Sequence, residues 1–138
     1  MTNTKFPERV DSRSRLAAAA SAGASARLVQ FSDTHLLQDP AGSVRGARTL
    51  PRLQACIAHA RHHFYPVDAV LLTGDIVHDE PAAYGYIDLL FGESPVPVLV
   101  IPGNHDVPDE MRCRLAHGPF QLGGEWLSGN GWQVRSEE

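Results

Sequence analysis

Three short apolar runs punctuate the chain: "RLVQFS" (27–32), "VDAVLLTG" (67–74) and "VPVLVIPG" (96–103), each stopped by turn residues. The last two are nearly continuous in hydrophobicity, the pattern of strands covered on both faces in a parallel sheet. Between the first two lies "ARTLPRLQACIAHARHHF", where Leu50, Leu53, Ile57, Ala60 and Phe64 recur at helical spacing. Between the second and third lies "EPAAYGYIDLLFG". There Tyr84, Ile87 or Asp88, and Phe91 mark helical turns, and Gly92 is placed to close the helix. Strand, helix, strand, helix, strand is the order of right-handed βαβ crossovers, so the pattern predicts an α/β fold on parallel strands. After Pro108 the signal weakens. "DEMRCRLA" predicts one short helix, and "GWQVRSEE" the beginning of a further strand.

The first 26 residues have another texture. Lys5, Arg9, Arg13 and Arg15 precede "LAAAASAGASA", which has the outline of an export signal with an A-x-A cleavage site. Its apolar part is mostly alanine, and Glu8 and Asp11 interrupt the basic region, so a flexible tail without chemistry is expected over 1–26. A single domain is expected over 27–138, a length that can bury a core of moderate size.

Composition narrows the partners. A hydrophobic fraction of 43% with 20% charged residues is that of an ordinary soluble globular protein. The net charge of −4 and the absence of a basic stripe argue against nucleic-acid binding. No apolar run has the length needed to cross a bilayer, so no membrane partner is expected. Cys56 and Cys113 stand far apart in no metal or redox spacing, as expected of reduced thiols in a cytoplasmic protein.

The chemistry sits where the strands stop. The first run ends in Asp33 and His35, the second in Asp75, the third in Asn104, His105 and Asp106. In an open parallel sheet the carboxyl ends of neighbouring strands lie side by side and form the ligand crevice, so these distant residues are expected to converge. Two Asp, one His and one Asn amide make a mixed hard and borderline donor set without thiolate. Such a set suits iron or manganese, with magnesium or zinc also compatible. Gly74 lets backbone approach closely, and a carboxylate at Asp75 has the position to bridge two ions. Two metals about 3.5–4 Å apart stabilise both the attacking and the leaving oxygen of an in-line phosphoryl displacement.

Each motif alone has an ordinary explanation. Asp-x-His is common in exposed loops, Gly-Asp is commonly a turn, and Asn-His-Asp can be an Asx-turn or capping cluster. Their order, each just beyond an apolar strand, is what carries the inference. The same weighing sets other residues aside. His78 and Asp79 are as compatible with a solvent-facing loop as with supporting the site, and Arg45 reads as a surface arginine sooner than as a substrate contact. His59, His62 and His63 are scattered by helical spacing and lie away from the strand ends, so they too are expected at the surface. His117 has no motif around it, and Trp126 and Trp132 are expected to pack.

The order D-T-H, G-D, G-N-H-D resembles the calcineurin-like metallophosphoesterases. The phrases "LVQFSDTHLL", "VDAVLLTGDIVHD" and "VPVLVIPGNHD" are most similar to the class III cyclic nucleotide phosphodiesterase branch. The resemblance covers about residues 27–108. It implies the βαβαβ parallel-sheet half of a four-layer α/β/β/α sandwich. It also implies Asp33 and His35 as ligands of a first metal, Asp75 as the bridging carboxylate and Asn104 as a ligand of a second. His105 matches the catalytic histidine that contacts the scissile phosphate, and Asp106 is expected to orient it. The implied activity is hydrolysis of a small phosphodiester, a 3′,5′-cyclic nucleotide such as cAMP, by a metal-bridging hydroxide.

One departure bears on competence. The family completes its site with a further histidine and a G-H-x-H motif in the second half of its fold, and neither occurs here. The chain therefore reads as truncated, a fragment or a divergent short member, and the alternative to an active enzyme is a catalytically impaired metal-binding remnant. An uncovered sheet face would favour an oligomer, and slow turnover is expected of the isolated chain. A nucleotide-binding module is disfavoured because no Gly-rich phosphate loop follows the first strand.

Overall fold

The apolar runs become strands, and the first question is how they are ordered. A computed structural model describes residues 25–122, 126–127 and 133–134. Within it β1 (Leu28–Phe31), β4 (Ala69–Thr73), β5 (Val98–Ile101) and β6 (Phe120–Leu122) form one sheet in the spatial order β1-β4-β5-β6. All pairs are parallel, with Leu28 opposite Ala69, Val70 opposite Val98, and Val98 opposite Phe120. Residues 1–24 of the expected tail, and Trp132, lie outside the described residues.

Burial follows position in the sheet. Ala69, Val70, Leu71 and Leu72 of β4 and Val98, Leu99 and Val100 of β5 are buried, as uninterrupted hydrophobic runs demand of inner strands. Edge strand β1 alternates exposed and half-buried positions, which is why its run carries Gln30. Fully burying one such aliphatic side chain contributes about 1.5–3 kcal/mol, so the two inner strands anchor the domain.

Helix α1 (Thr49–His63) connects β1 to β4 and buries Leu50, Leu53, Ile57 and Ala60, the predicted stripe. Phe64 departs from that stripe: it caps the helix end and is 50% exposed. A 3₁₀ turn (Pro81–Ala83) leads into α2 (Tyr84–Phe91), which buries Tyr84, Ile87 and Phe91 and ends at Gly92. Helix α3 (Pro108–Leu115) opens on a proline at its first turn and packs Met111 and Leu115 into the same core.

Two elements were not announced by periodicity. Strand β6 is three residues long, too short for a pattern, and is recruited by pairing with β5. The ribbon of β2 (Ser43–Val44) and β3 (Ala47–Arg48) turns on Arg45 (φ 49°) and Gly46 (φ 79°), the paired positive φ of a type I′ turn. Of the expected strand near the C-terminus, β8 (Gln133–Val134) pairs antiparallel with β7 (Trp126–Leu127). Among the described residues no helix is long and apolar enough to cross a membrane.

Candidate metal centre

Beyond the sheet, the loops continue its ladder and so fix the polar residues. The Asp33 N–H donates to the Gly74 carbonyl at 3.1 Å, His35 N–H to Asp75 O at 2.9 Å, and Leu36 N–H to Ile76 O at 2.9 Å. The His78 N–H returns to Leu36 O at 3.0 Å, and Leu36 and Val77 form a parallel bridge. The β1 and β4 loops are thus zipped together at their carboxyl ends, where crevices form in open parallel sheets.

Two glycines let the β5 loop close against them. Gly74 holds φ 80°, a left-handed conformation. Gly103 lies so close to Asp75 that a Cβ there would sit 2.5 Å from both its backbone nitrogen and its Oδ1. The sequence expectation of close approach at Gly74 therefore belongs as much to Gly103.

Asp33 (φ 55°), His35 (φ 43°), Asp75 (φ 46°) and Asp79 (φ 61°) all occupy left-handed backbone, which non-glycine residues avoid. Conformations of this kind cluster at functional sites because the surroundings over-determine them.

The surroundings here are organised by Asp106. Its buried carboxylate accepts the Ile76 N–H at 3.1 Å on either oxygen, the Val77 N–H at 3.1 Å, the Gly103 N–H at 2.8 Å and the Tyr84 hydroxyl at 2.9 Å. Burial pushes the Tyr84 hydroxyl far above the usual phenol range, and the neighbouring Asp106 charge adds to the rise, against a lowering by the Val107 N–H that it accepts. This corrects the role expected of Asp106. It braces the loops after β4 and β5, while the His105 ring is held by Asp79, whose carboxylate oxygens lie 3.1 and 3.2 Å from Nδ1.

The site side chains then come together. Asp75 Oδ1 accepts the His105 N–H at 2.9 Å, leaving Oδ2 3.7 Å from His35 Nε2. Asp33 Oδ1 lies 3.9 Å from the same nitrogen. His78 stacks on His105 with ring centroids 4.6 Å apart, and its Nδ1 is 3.0 Å from His35 Nδ1. Asn104 is exposed on the adjoining turn.

A cleft of about 700 Å³ opens beside these groups. Asp33, His35, Asp75, His78 and His105 line it, Phe31 and Leu53 add apolar surface, and Arg45 and Arg52 bring positive charge from the ribbon and α1. His78, Asp79 and Arg45 thus stand at the site; the sequence leaves the first two open between a loop and a supporting role, and Arg45 as a surface arginine. Their one signal was adjacency to Asp75 for the first two.

The remaining histidines lie elsewhere. His59, His62 and His63 are exposed near the end of α1, which feeds the amino end of β4. Their rings do gather, at centroid distances of 4.3 Å (His59–His63) and 4.6 Å (His62–His63), contrary to the expected scatter. His117 precedes β6 and faces Asp88 at 3.5 Å, again at the amino end of the sheet.

A sequence profile of the calcineurin-like phosphoesterase family matches residues 26–135. The chain belongs to that family. A protein of Synechococcus sp. named a probable cyclic nucleotide phosphodiesterase is 33% identical over 108 residues, covering 78% of this chain and 41% of its own length. The 3',5'-cyclic adenosine monophosphate phosphodiesterases CpdA of Haemophilus influenzae and Escherichia coli K12 are 31% identical over 110 residues and 28% over 109. Each alignment covers 78% of this chain and 40% of the relative. The chain therefore spans about two fifths of the length of these relatives. The similarity falls in the branch that the three strand phrases resembled.

Calcineurin-like phosphoesterases use divalent metals, and the donors present fit one. Single ligand atoms of Asp33, His35 and Asp75 all lie within 4.8 Å of one another. Two carboxylates with one imidazole combine the negative charge and donor type that such cations accept.

Proposed function

We propose that this calcineurin-like phosphoesterase chain carries out metal-dependent hydrolysis of a phosphodiester, with a 3′,5′-cyclic nucleotide, cyclic AMP, as the substrate. The observation that carries the reading is the convergence of Asp33, His35, Asp75 and His105 from three strand ends on one cleft. Asp33, His35 and Asp75 would hold a divalent cation, iron or manganese, with Asp75 and Asn104 offered to a second. When bound, the metal supplies positive charge that offsets charge developing on the phosphoryl oxygens.

The other residues act on the substrate directly. An anionic phosphodiester approaching bare Asp33 and Asp75 would be repelled, which is the electrostatic reason for a cation between them. Arg45 and Arg52 line the same cleft and receive the remaining phosphate charge. Asp79 fixes the His105 ring by Nδ1, leaving Nε2 to donate to a phosphoryl oxygen and pass a proton to the departing oxygen. A cleft of about 700 Å³ has the size of a small-ligand site. The cytoplasm is the compartment that fits the two free, exposed cysteines.

The test is turnover. Purified chain with Mn²⁺ should hydrolyse bis(p-nitrophenyl) phosphate and cyclic AMP, and Asp75→Ala should abolish both the metal dependence and the rate. Equal rates with and without Mn²⁺, unchanged in Asp75→Ala, would sink the proposal. Metal binding without any turnover would leave a binding domain instead.

A further inference from the structure

His78 takes part in none of the steps above, yet it is held at the site. It lies on the loop after β4, half-buried, with its N–H tied to the Leu36 carbonyl at 3.0 Å. Its Nδ1 faces His35 Nδ1 at 3.0 Å. Two neutral imidazole nitrogens at that distance share one proton, so one ring donates and the other accepts.

The far side of His35 decides which. Its Nε2 looks toward Asp33 Oδ1 at 3.9 Å and Asp75 Oδ2 at 3.7 Å, too far for hydrogen bonds. The three atoms instead surround a point that a cation can reach. A nitrogen that binds a cation must be unprotonated, so the proton of neutral His35 belongs on Nδ1. The acceptor is then His78.

We infer that His78 is a positioning residue: it accepts the His35 Nδ1–H and locks the tautomer whose Nε2 lone pair points between Asp33 and Asp75. Histidines that ligate metals commonly donate their other N–H to a carboxylate, carbonyl or water, which fixes the ring and raises ligand basicity. Here a second imidazole does that accepting. The competing arrangement is a three-imidazole site, since His35, His78 and His105 also offer nitrogens within 4.8 Å of one another. A cation drawn to that trio meets three neutral donors, whereas the Asp33–His35–Asp75 group brings two negative charges, and Coulomb attraction favours the latter.

The inference rests on the proposed metal site, and the experiment separates the two. The 138-residue chain with ¹⁵N-labelled histidine is read by two-bond ¹H–¹⁵N correlation, metal-free and with Zn²⁺ as a diamagnetic probe. His35 should be protonated at Nδ1 in both states, with Nε2 bound to zinc when it is present. His78→Leu should scramble the metal-free tautomer and weaken Zn²⁺ binding by about 10–100-fold. His78→Asn, whose amide oxygen can accept in the same place, should restore most of both, and it serves alone if the leucine variant does not fold. An unchanged tautomer and affinity in His78→Leu, or zinc found on His35 Nδ1, overturns the inference. Asp75→Ala in parallel tests the metal site: zinc binding equal to wild type there overturns that reading, while the metal-free tautomer still judges His78.

Discussion

Replacing Asp106 with asparagine changes a buried carboxylate by one atom and removes a charge, so its effect can be worked from the hydrogen bonds. With the amide oxygen in the place of Oδ1, the bonds from Val77 N–H and the Tyr84 hydroxyl survive, but as neutral rather than charge-assisted ones. The amide nitrogen then stands where Oδ2 accepted the Gly103 N–H at 2.8 Å, so two donors face each other. Losing one charge-assisted bond costs about 1.5–3 kcal/mol, and leaving its partner unsatisfied about 1–3 kcal/mol more. Asp106 is only 8% exposed, so solvent offers little relief. We expect Asp106→Asn to destabilise the domain by about 3–5 kcal/mol.

Urea denaturation reads this as a lower midpoint at an unchanged slope. Hydrogen exchange supplies the local signature, because the Ile76 and Gly103 amides, which both bond Oδ2, should lose protection together while Val77 keeps its partner. A loss under about 1 kcal/mol with those amides still protected would refute the bracing role assigned to Asp106.

Further outcomes follow from the same geometry. Gly103→Ala should drive its Cβ into Asp75, lowering stability and abolishing divalent-cation binding by calorimetry, whereas a wild-type isotherm would remove the steric argument. Tyr84 has a raised pKa in the folded state, so its contribution is intact below the unfolded value near pH 10 and is lost above it, as the unfolded chain releases a proton that the folded one keeps. Stability should fall there with a slope approaching about 1.4 kcal/mol per pH unit, and Tyr84→Phe should flatten it in pH-dependent urea unfolding.

The strands and helices around the sheet were legible because continuous apolar runs and the Leu50–Leu53–Ile57 stripe are written in burial. The convergence of Asp33, His35, Asp75 and His105 was legible for a topological reason: parallel strands bring their carboxyl ends together wherever they stand in sequence. What was not legible depends on where loops turn. Asp106 and Asp79 are both carboxylates near a histidine, and no spacing rule says that the first would face inward to amides of two loops while the second reaches the His105 ring. His78 was similarly opaque, since its approach to His35 follows from the Leu36–Val77 bridge, which has no sequence period. Strand β6 and the β2–β3 ribbon are too short to carry one.

The left-handed backbone at Asp33, His35, Asp75 and Asp79 sets this domain's capacity for improvement against its chemistry. Each of these residues holds a torsion that glycine would adopt without penalty, at roughly 1 kcal/mol apiece for a side chain with a Cβ. Aspartate and histidine tolerate that region better than most residues with a Cβ, which lowers the penalty without removing it. A directed-evolution campaign that rewarded heat tolerance alone would therefore find gains inside the cleft, and each would remove either a proposed cation ligand or the carboxylate that holds His105. Thermostable descendants retaining the site would have to draw their stability from elsewhere, such as the exposed Leu89 face of α2.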